Sequence, residues 1–369
     1  MQIRRVRNDE AEIRRYVTDC WLSFQEDLTG AEETHALADD ATEAAVEYHL
    51  EELDSPESRL WVALDGVGEE MASLSTVDGT FAGLVRTQTH QSPQRFDWPD
   101  RLEIEDCWVR ERYRGTGLAD DLFARAVQHA REDGCPEFTL TVGVDNERAV
   151  GYYEKLGFEV QGFGMRVPVE DLRLSLDEGP AGDATTHLRR VRAEEPVLRR
   201  FIEECWLPFW QEMSEAVGEQ HLDPELDREE LLERLVESYD TPDRRCWVGL
   251  DDAEDPATPL EDVAATFAGW INAGLAPIDP FLDPPERLFV GNLYAGPDYR
   301  GTGLADQLVA RAMQYAREEG CIELVLGVEA GNDRALAYYE KLGFEPYEQR
   351  MAVPLDELEL SATSPGSHY

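Results

Sequence analysis

The residues most able to do chemistry sit at a bend. Tyr113-Arg-Gly-Thr-Gly-Leu-Ala119 falls between a run that predicts a strand (Leu102 to Val109) and one that predicts a helix (Leu118 to Asp133). The same seven letters return as Tyr299-Arg-Gly-Thr-Gly-Leu-Ala305. Glycines at a strand-to-helix junction let backbone N–H groups turn outward and let a ligand approach the main chain. The start of the helix adds its partial positive charge, so the bend is a seat for an anion, with a pyrophosphate the obvious occupant. Arg114, Gly115, Thr116, Gly117, Leu118 and Ala119 are therefore candidate binding residues, as are Arg300, Gly301, Thr302, Gly303, Leu304 and Ala305. A tight turn with no ligand would use the same letters. The sequence fits neither a P-loop, which needs Gly-Lys-Ser/Thr, nor a dinucleotide fingerprint, which needs a third glycine.

The elements that must position these bends follow from a repeat. Tyr113–Phe158 lies on Tyr299–Phe344 without a gap, with about two-thirds of the positions identical. Trp61-Val-Ala-Leu-Asp65 matches Trp247-Val-Gly-Leu-Asp251 at the same offset, and Cys20-Trp21-Leu22 matches Cys205-Trp206-Leu207 one residue out of step. A unit this large is a duplicated domain rather than a short solenoid repeat. The expected organisation is a first domain over 1–176, a Gly/Ala/Thr-rich linker over 177–186, a second domain over 187–358 and a loose tail over 359–369. Within the first unit the pattern predicts an opening strand (Ile3 to Val6), then amphipathic helices carrying Ile13, Tyr16, Val17, Trp21 and Phe24. Strands near 59–64, 80–87 and 102–109 come next, with a Pro-containing loop before the last of them. The helix at 118–133, a strand at 138–144 and a short helix at 147–156 follow, and two short terminal strands near 158–160 and 165–169 finish the unit. The fold class is α/β (α+β): two tandem domains, each a mixed, mostly antiparallel sheet flanked by helices.

At this point a resemblance enters. Arg114-Gly-Thr-Gly117-Leu-Ala119 is similar to the [Q/R]-x-x-G-x-[G/A] acyl-CoA pyrophosphate motif of the GNAT N-acetyltransferase superfamily, and Arg300–Ala305 repeats it. Where that family has its second signature stand Asn146-Glu-Arg-Ala149-Val-Gly-Tyr-Tyr153-Glu-Lys-Leu-Gly-Phe158 and Asn332-Asp-Arg-Ala335-Leu-Ala-Tyr-Tyr339-Glu-Lys-Leu-Gly-Phe344. Two motifs in order, each present twice, make accident a poor explanation.

The resemblance implies acetyl-CoA, or another acyl-CoA, lying in a V between splayed strands. Its arm would pair with Cys107-Trp108-Val109 and with Leu293-Tyr294-Ala295. Asn146 and Asn332 match the asparagine that binds that arm, although a position just before a helix suits an N-cap equally well. Tyr153 and Tyr339 match the tyrosine that often protonates the departing thiolate, a workable role for a phenol. Tyr152 and Tyr338 read as packing. The implied reaction is direct transfer in a ternary complex to a small amine or a protein N-terminus. Glu103 and Glu105 are candidate bases; the second half has Phe289 and Gly291 there, and Asn292 opposite Asp106, so the two sites differ on the acceptor side. Alternatives are a non-catalytic acyl-CoA-binding or scaffold module, or a mycothiol-synthase-like tandem with one working half.

Bulk properties bound the rest. The 369 residues carry 78 acids against 34 bases, a net charge of −44, and only Lys155 and Lys341 are lysines. Acids spread through both halves read as adaptation to molar internal salt, where screening acts within about 3 Å, and they argue against nucleic-acid partners. No run approaches the roughly 20 apolar residues of a membrane helix. Six cysteines without ligand spacing read as buried free thiols in a cytoplasmic protein with no metal. The chain is expected as a monomer acting as an internal pseudo-dimer, or as a homodimer.

Overall fold

The computed structural model describes residues 1–29, 36–67, 72–92, 99–174, 187–217, 222, 226–252, 255, 257–283 and 285–360. The expected linker at 177–186 and the tail from 361 onward lie outside them. The first half runs β1 (Gln2–Arg5), α1 (Glu10–Tyr16), a π-helical turn (Val17–Trp21), α2 (Leu22–Thr29), α3 (Ala41–Glu52), β2 (Ser58–Asp65), β3 (Thr80–His90), β4 (Arg101–Val109), α4 (Leu118–Asp133), β5 (Glu137–Gly143), α5 (Glu147–Lys155) and β6 (Glu159–Pro168). The second half repeats it: β7 (His187–Val191), α6 (Glu195–Phe201), a π turn (Ile202–Trp206), α7 (Leu207–Val217), α8 (Arg228–Tyr239), β8 (Arg244–Leu250), β9 (Phe267–Leu275), β10 (Arg287–Ala295), α9 (Leu304–Glu319), β11 (Glu323–Glu329), α10 (Asp333–Leu342) and β12 (Glu345–Pro354).

Local sequence accounts for the elements that matter. In α4, Leu118, Leu122, Phe123, Ala126, Val127 and Ala130 recur at helical spacing and are buried, so one stripe is glued to the sheet. Gly134, at φ 75°, stops the helix in the left-handed region. The apolar run of β2 is buried nearly throughout, as befits a strand covered on both faces.

The sheet departs from the expectation of one per domain. Among the described residues the twelve strands form a single sheet in the order β1-β2-β3-β4-β5-β12-β6-β11-β10-β9-β8-β7. The halves exchange their last strands: β12 pairs with β5 and β6 pairs with β11, with β12 and β6 against each other at the centre. Met165, Val167 and Val169 therefore complete the second half's core, and Met351 and Val353 complete the first's.

The two short terminal strands expected near 158–160 and 165–169 are one uninterrupted strand, β6. Gly162 and Gly164 look like a break in the sequence, but they mark close approach. A Cβ on Gly162 would meet the Val328 carbonyl at 2.8 Å, and one on Gly164 would meet the Glu348 side chain at 2.5 Å.

Candidate functional site

The site opens where two parallel strands part. β4 pairs with β5 only from Arg101↔Glu137 to Ile104↔Leu140, so the β5-facing edge of residues 105–109 is unpaired in the sheet. β10 and β11 part likewise after Val290↔Leu326. At the fork the β3–β4 register slips between Arg86↔Asp106 and Thr87↔Ile104, which leaves Glu105 as the extra residue of a bulge. Gly291 holds the same place in β10.

The bend beyond β4 has the geometry an anion needs. Gly115 and Gly117 lie at φ 76° and 86°, Gly301 and Gly303 at 74° and 85°, conformations that glycine alone adopts without strain. A Cβ added at any of the four would meet nothing within 4 Å, so the space beside the turn is open. No side chain caps α4 or α9, which leaves their first N–H groups turned to that space. Thr116 Oγ1 donates to the Tyr113 carbonyl at 2.6 Å and holds the turn. Arg114 donates to the Val109 carbonyl at 3.0 Å and to Asp27 at 3.0 Å, tying the end of β4 to α2. Arg300 repeats this with the Ala295 carbonyl and Glu212.

Across the V, Asn146 and Asn332 cap their helices by accepting from the Ala149 and Ala335 N–H groups at 3.2 and 3.1 Å. Tyr152 and Tyr338 donate to Asp120 and Asp306 at 3.0 and 2.8 Å, so they lock α5 and α10 to the helix after the bend rather than merely packing. Tyr153 is buried against Phe123 and Phe158, yet it lines the cavity. Burial, with Cys107 and Asp106 adding, holds its hydroxyl well above the ordinary tyrosine range, so it keeps its proton.

These parts surround one cavity of about 1300 Å3 in the first half. Gly115, Gly117, Val109, Asn146 and Tyr153 line it, as do Glu105, Asp106 and Arg86. Arg86 is buried and bonds Asp106 at 2.7 Å, with Glu105 and Glu52 each at 3.5 Å. His90 bonds Glu103 at 2.9 Å and reaches Glu105 at 3.8 Å, and the two glutamates raise its pKa to about 9. His90, Glu103 and Glu105 bring three possible ligand atoms within 4.8 Å of one another, a grouping that could hold a metal ion. Removal from water pushes the half-buried Cys107 thiol up to about 12, which disqualifies it as a resting nucleophile.

Part of the wall belongs to the other half. Pro277, Ile278, Asp279, Phe281 and Leu282, between β9 and β10, line the first-half cavity, as do Tyr347 and Glu348 of the exchanged β12. The segment is anchored by a Leu37↔Leu282 bridge and by Phe281, whose ring meets Trp21 edge-on at 4.8 Å.

The second half keeps the bend and loses the charges. Asn272 and Asn292 replace Arg86 and Asp106, Gly291 replaces Glu105, and Phe289, largely exposed, replaces Glu103. Trp206, Phe209 and Trp270 pack with Tyr294 into an aromatic cluster. Asn332 Nδ2 donates to Met213 Sδ at 3.7 Å, which joins the start of α10 to α7.

The Acetyltransferase (GNAT) family model matches residues 21–158 and again 206–344. The chain belongs to the GNAT acetyltransferase family. Among solved structures it is similar to a tandem GNAT protein from the clavulanic acid biosynthesis pathway, at TM-score 0.54 and 15% identity over 96% of this chain and 98% of that one, a likeness of fold. Among curated relatives it is 43% identical over 58 residues to the N-alpha-acetyltransferase MAK3 of Arabidopsis thaliana, covering 16% of this chain and 30% of that protein. It is 52% identical over 46 residues to the mycothiol acetyltransferase of Corynebacterium glutamicum, covering 12% of this chain and 16% of that protein. The chain thus spans less than half the length of the curated relatives it matches.

Of the residues singled out from sequence, Trp108, Val109, Arg114, Gly115, Gly117, Ala119, Asn146, Tyr153 and Glu105 line this GNAT cavity together. Glu103 sits beside His90 instead, and the Leu118 and Leu304 side chains turn into the core, leaving only their backbone to the bend. Sequence reading passed over Arg86, His49, Asp27 and Asp279. Only Arg86 carried a signal: an arginine facing an aspartate where the copy has two asparagines.

Proposed function

We propose that the first half transfers the acetyl group of acetyl-CoA to a primary amine by direct attack in a ternary complex, and that the second half holds acyl-CoA without turning it over. One observation carries this reading: the glycine bend, the free edge of β4, a buried tyrosine and the bulged-out Glu105 meet in a single cavity. The open space beside Gly115 and Gly117 and the uncapped start of α4 fit a diphosphate. The β5-facing edge of β4 beyond Ile104, which no strand pairs, suits an amide-bearing arm. When bound, acetyl-CoA supplies the activated thioester.

This chain's residues do the rest. Glu105 takes the ammonium proton, directly or through water, so that the amine lone pair can form the C–N bond. As the C–S bond breaks, the Tyr153 hydroxyl gives its proton to the departing sulfur and regains one from the attacking nitrogen, which leaves the neutral amide. Glu105 is preferred to Glu103 because it borders the cavity and is freed by the bulge. The second half keeps Tyr339 but has Phe289 and Gly291 in place of Glu103 and Glu105, which favours a binding role there.

We also read the −44 charge as salt adaptation, so the unfolding midpoint should rise between about 0.1 M and about 2 M KCl as carboxylate repulsion is screened. Calorimetry with acetyl-CoA tests the main reading. Two sites per chain are expected, with Gly117→Glu and Gly303→Glu each removing one. No heat from acetyl-CoA with the intact chain would overturn it.

A further inference from the structure

The wall that the second half contributes to the first-half cavity is built rather than incidental. Leu37 and Leu282 form an isolated antiparallel bridge, and two main-chain hydrogen bonds flank it: Ala38 N–H to the Phe281 carbonyl at 3.0 Å and Asp283 N–H to the Ala36 carbonyl at 2.9 Å. The Phe281 ring is buried and meets both Trp21 at 4.8 Å and Tyr48 at 5.2 Å edge-on, so the segment is fixed by the first half's own aromatic residues.

The fixed segment delivers one charge to the cavity. Asp279 sits at its rim, within electrostatic reach of Arg86, Asp106 and Glu105. Partial removal from water raises its carboxyl above the usual range. Arg86 opposes that rise, and Asp106 and Glu105 add to it. Around Arg86 there are then four carboxylates, Glu52, Glu105, Asp106 and Asp279, against the Arg86 guanidinium and, at Glu105, the His90 imidazolium. Such an excess in a confined space favours a cation.

A second observation points to a ligand independently. His49 borders the same cavity, is 1% exposed, and neither ring nitrogen has a partner. Burial and the neighbouring Arg86 lower its pKa to about 3, so it stays a neutral imidazole. It therefore offers one donor and one acceptor. A buried polar group left unmatched is costly, and a bound polar group relieves that cost.

Resting on the function proposed above, we propose that residues 277–282 are the acceptor-selecting element of the first-half site. They admit a primary amine that also carries a hydroxyl or amide group, with Asp279 pairing its ammonium and His49 its uncharged polar group. Each half is then needed for one active site: the first supplies the cofactor seat and the base, the second supplies the selectivity. The segment between β9 and β10 also differs in sequence from the matching stretch of the first half.

The test uses the full chain with acetyl-CoA saturating and thiol release as readout. Glucosamine, serine amide and tyramine are the probes, beside propylamine, which lacks a hydroxyl or amide. Asp279→Asn should raise KM for the preferred amine by about tenfold, the worth of one charge-assisted hydrogen bond. Its kcat and the affinity for acetyl-CoA should hold, and Asp279→Glu should recover part of the loss. Asp283→Asn, an exposed neighbour outside the cavity, should match the parent chain. His49→Phe should weaken the hydroxyl- or amide-bearing amines and leave propylamine unchanged. Equal behaviour of Asp279→Asn and Asp283→Asn overturns the proposal, as does failure of every probe in a chain that binds acetyl-CoA. Failure of acetyl-CoA itself to bind brings down the underlying reading and this one with it.

Discussion

Arg86 and Asp106 face each other across β3 and β4 and bond at 2.7 Å, while the copies of these residues, Asn272 and Asn292, meet through an Asn292 N–H to Asn272 Oδ1 bond at 2.5 Å. A buried ion pair in one half has become a neutral contact in the other. Removing one partner of a buried pair is costly because it strands a charge, whereas replacing both is often nearly neutral. Asp106→Asn should therefore cost about 3 kcal/mol, the low end of the range for such losses, because Glu105 and Glu52 stay near the guanidinium. The double change Arg86→Asn with Asp106→Asn, which copies the second half, should cost less than the single one. Denaturant unfolding measures both, and a double mutant whose loss equals the sum of its parts would refute this account of the pair.

The strand exchange predicts that the halves are not independent. A fragment of residues 187–369 lacks Met165, Val167 and Val169, all buried in its core in the intact chain. Each such side chain is worth roughly 1.5–3 kcal/mol when fully buried, so the loss is comparable with the roughly 5–15 kcal/mol that keeps a domain folded. Fragments 1–176 and 187–369 expressed apart should melt well below the intact chain, and mixing them should restore the stability. Two fragments that each unfold cooperatively at the intact chain's midpoint would show that the exchange contributes nothing.

The two tyrosines separate working from idle halves. Tyr153 lines the charged cavity, and Tyr339 is its copy in the half where Asn272 and Asn292 replace Arg86 and Asp106. Tyr153→Phe should lower the rate of thiol release about 100-fold, the lower end of general-acid effects, with acetyl-CoA still bound. Tyr339→Phe should leave turnover within error. A fall in both variants would make the second half catalytic too.

Much of this was legible in the sequence because the glycine bend is local. A left-handed glycine before an apolar helical stripe declares itself in seven letters, and α4 begins and ends where Gly117 and Gly134 say it must. What could not be read was set by long-range geometry. Gly162 and Gly164 look like a turn, and only the partner strand shows that they allow close approach. Asp279 and His49 carry no motif, and nothing in their neighbourhoods announces that chain folding brings them to one cavity. Glu105 was legible as a candidate, but its advantage over Glu103 depends on a bulge that no periodicity reveals.

The buried histidines set the acid side of stability. His49 is lowered to about 3 by burial and Arg86; His129 is lowered to about 4 by burial and Arg59. Both stay neutral in the folded chain while the unfolded chain takes up protons near pH 6.5. Folding therefore loses stability as pH falls from about 6.5, by up to about 1.4 kcal/mol per pH unit for each histidine. His90, raised to about 9, acts in the opposite sense: its contribution is complete below about 6.5, falls as pH rises from there and is gone above about 9. Between about pH 6.5 and 5 few carboxylates titrate, so the slope there belongs to His49 and His129. His129→Gln, which removes one titrating group and lies outside the cavity, should flatten that slope by about half in denaturant titrations at fixed KCl. A slope unchanged by the substitution would mean that the imidazole is protonated inside the fold, held by Asp133 at 3.0 Å.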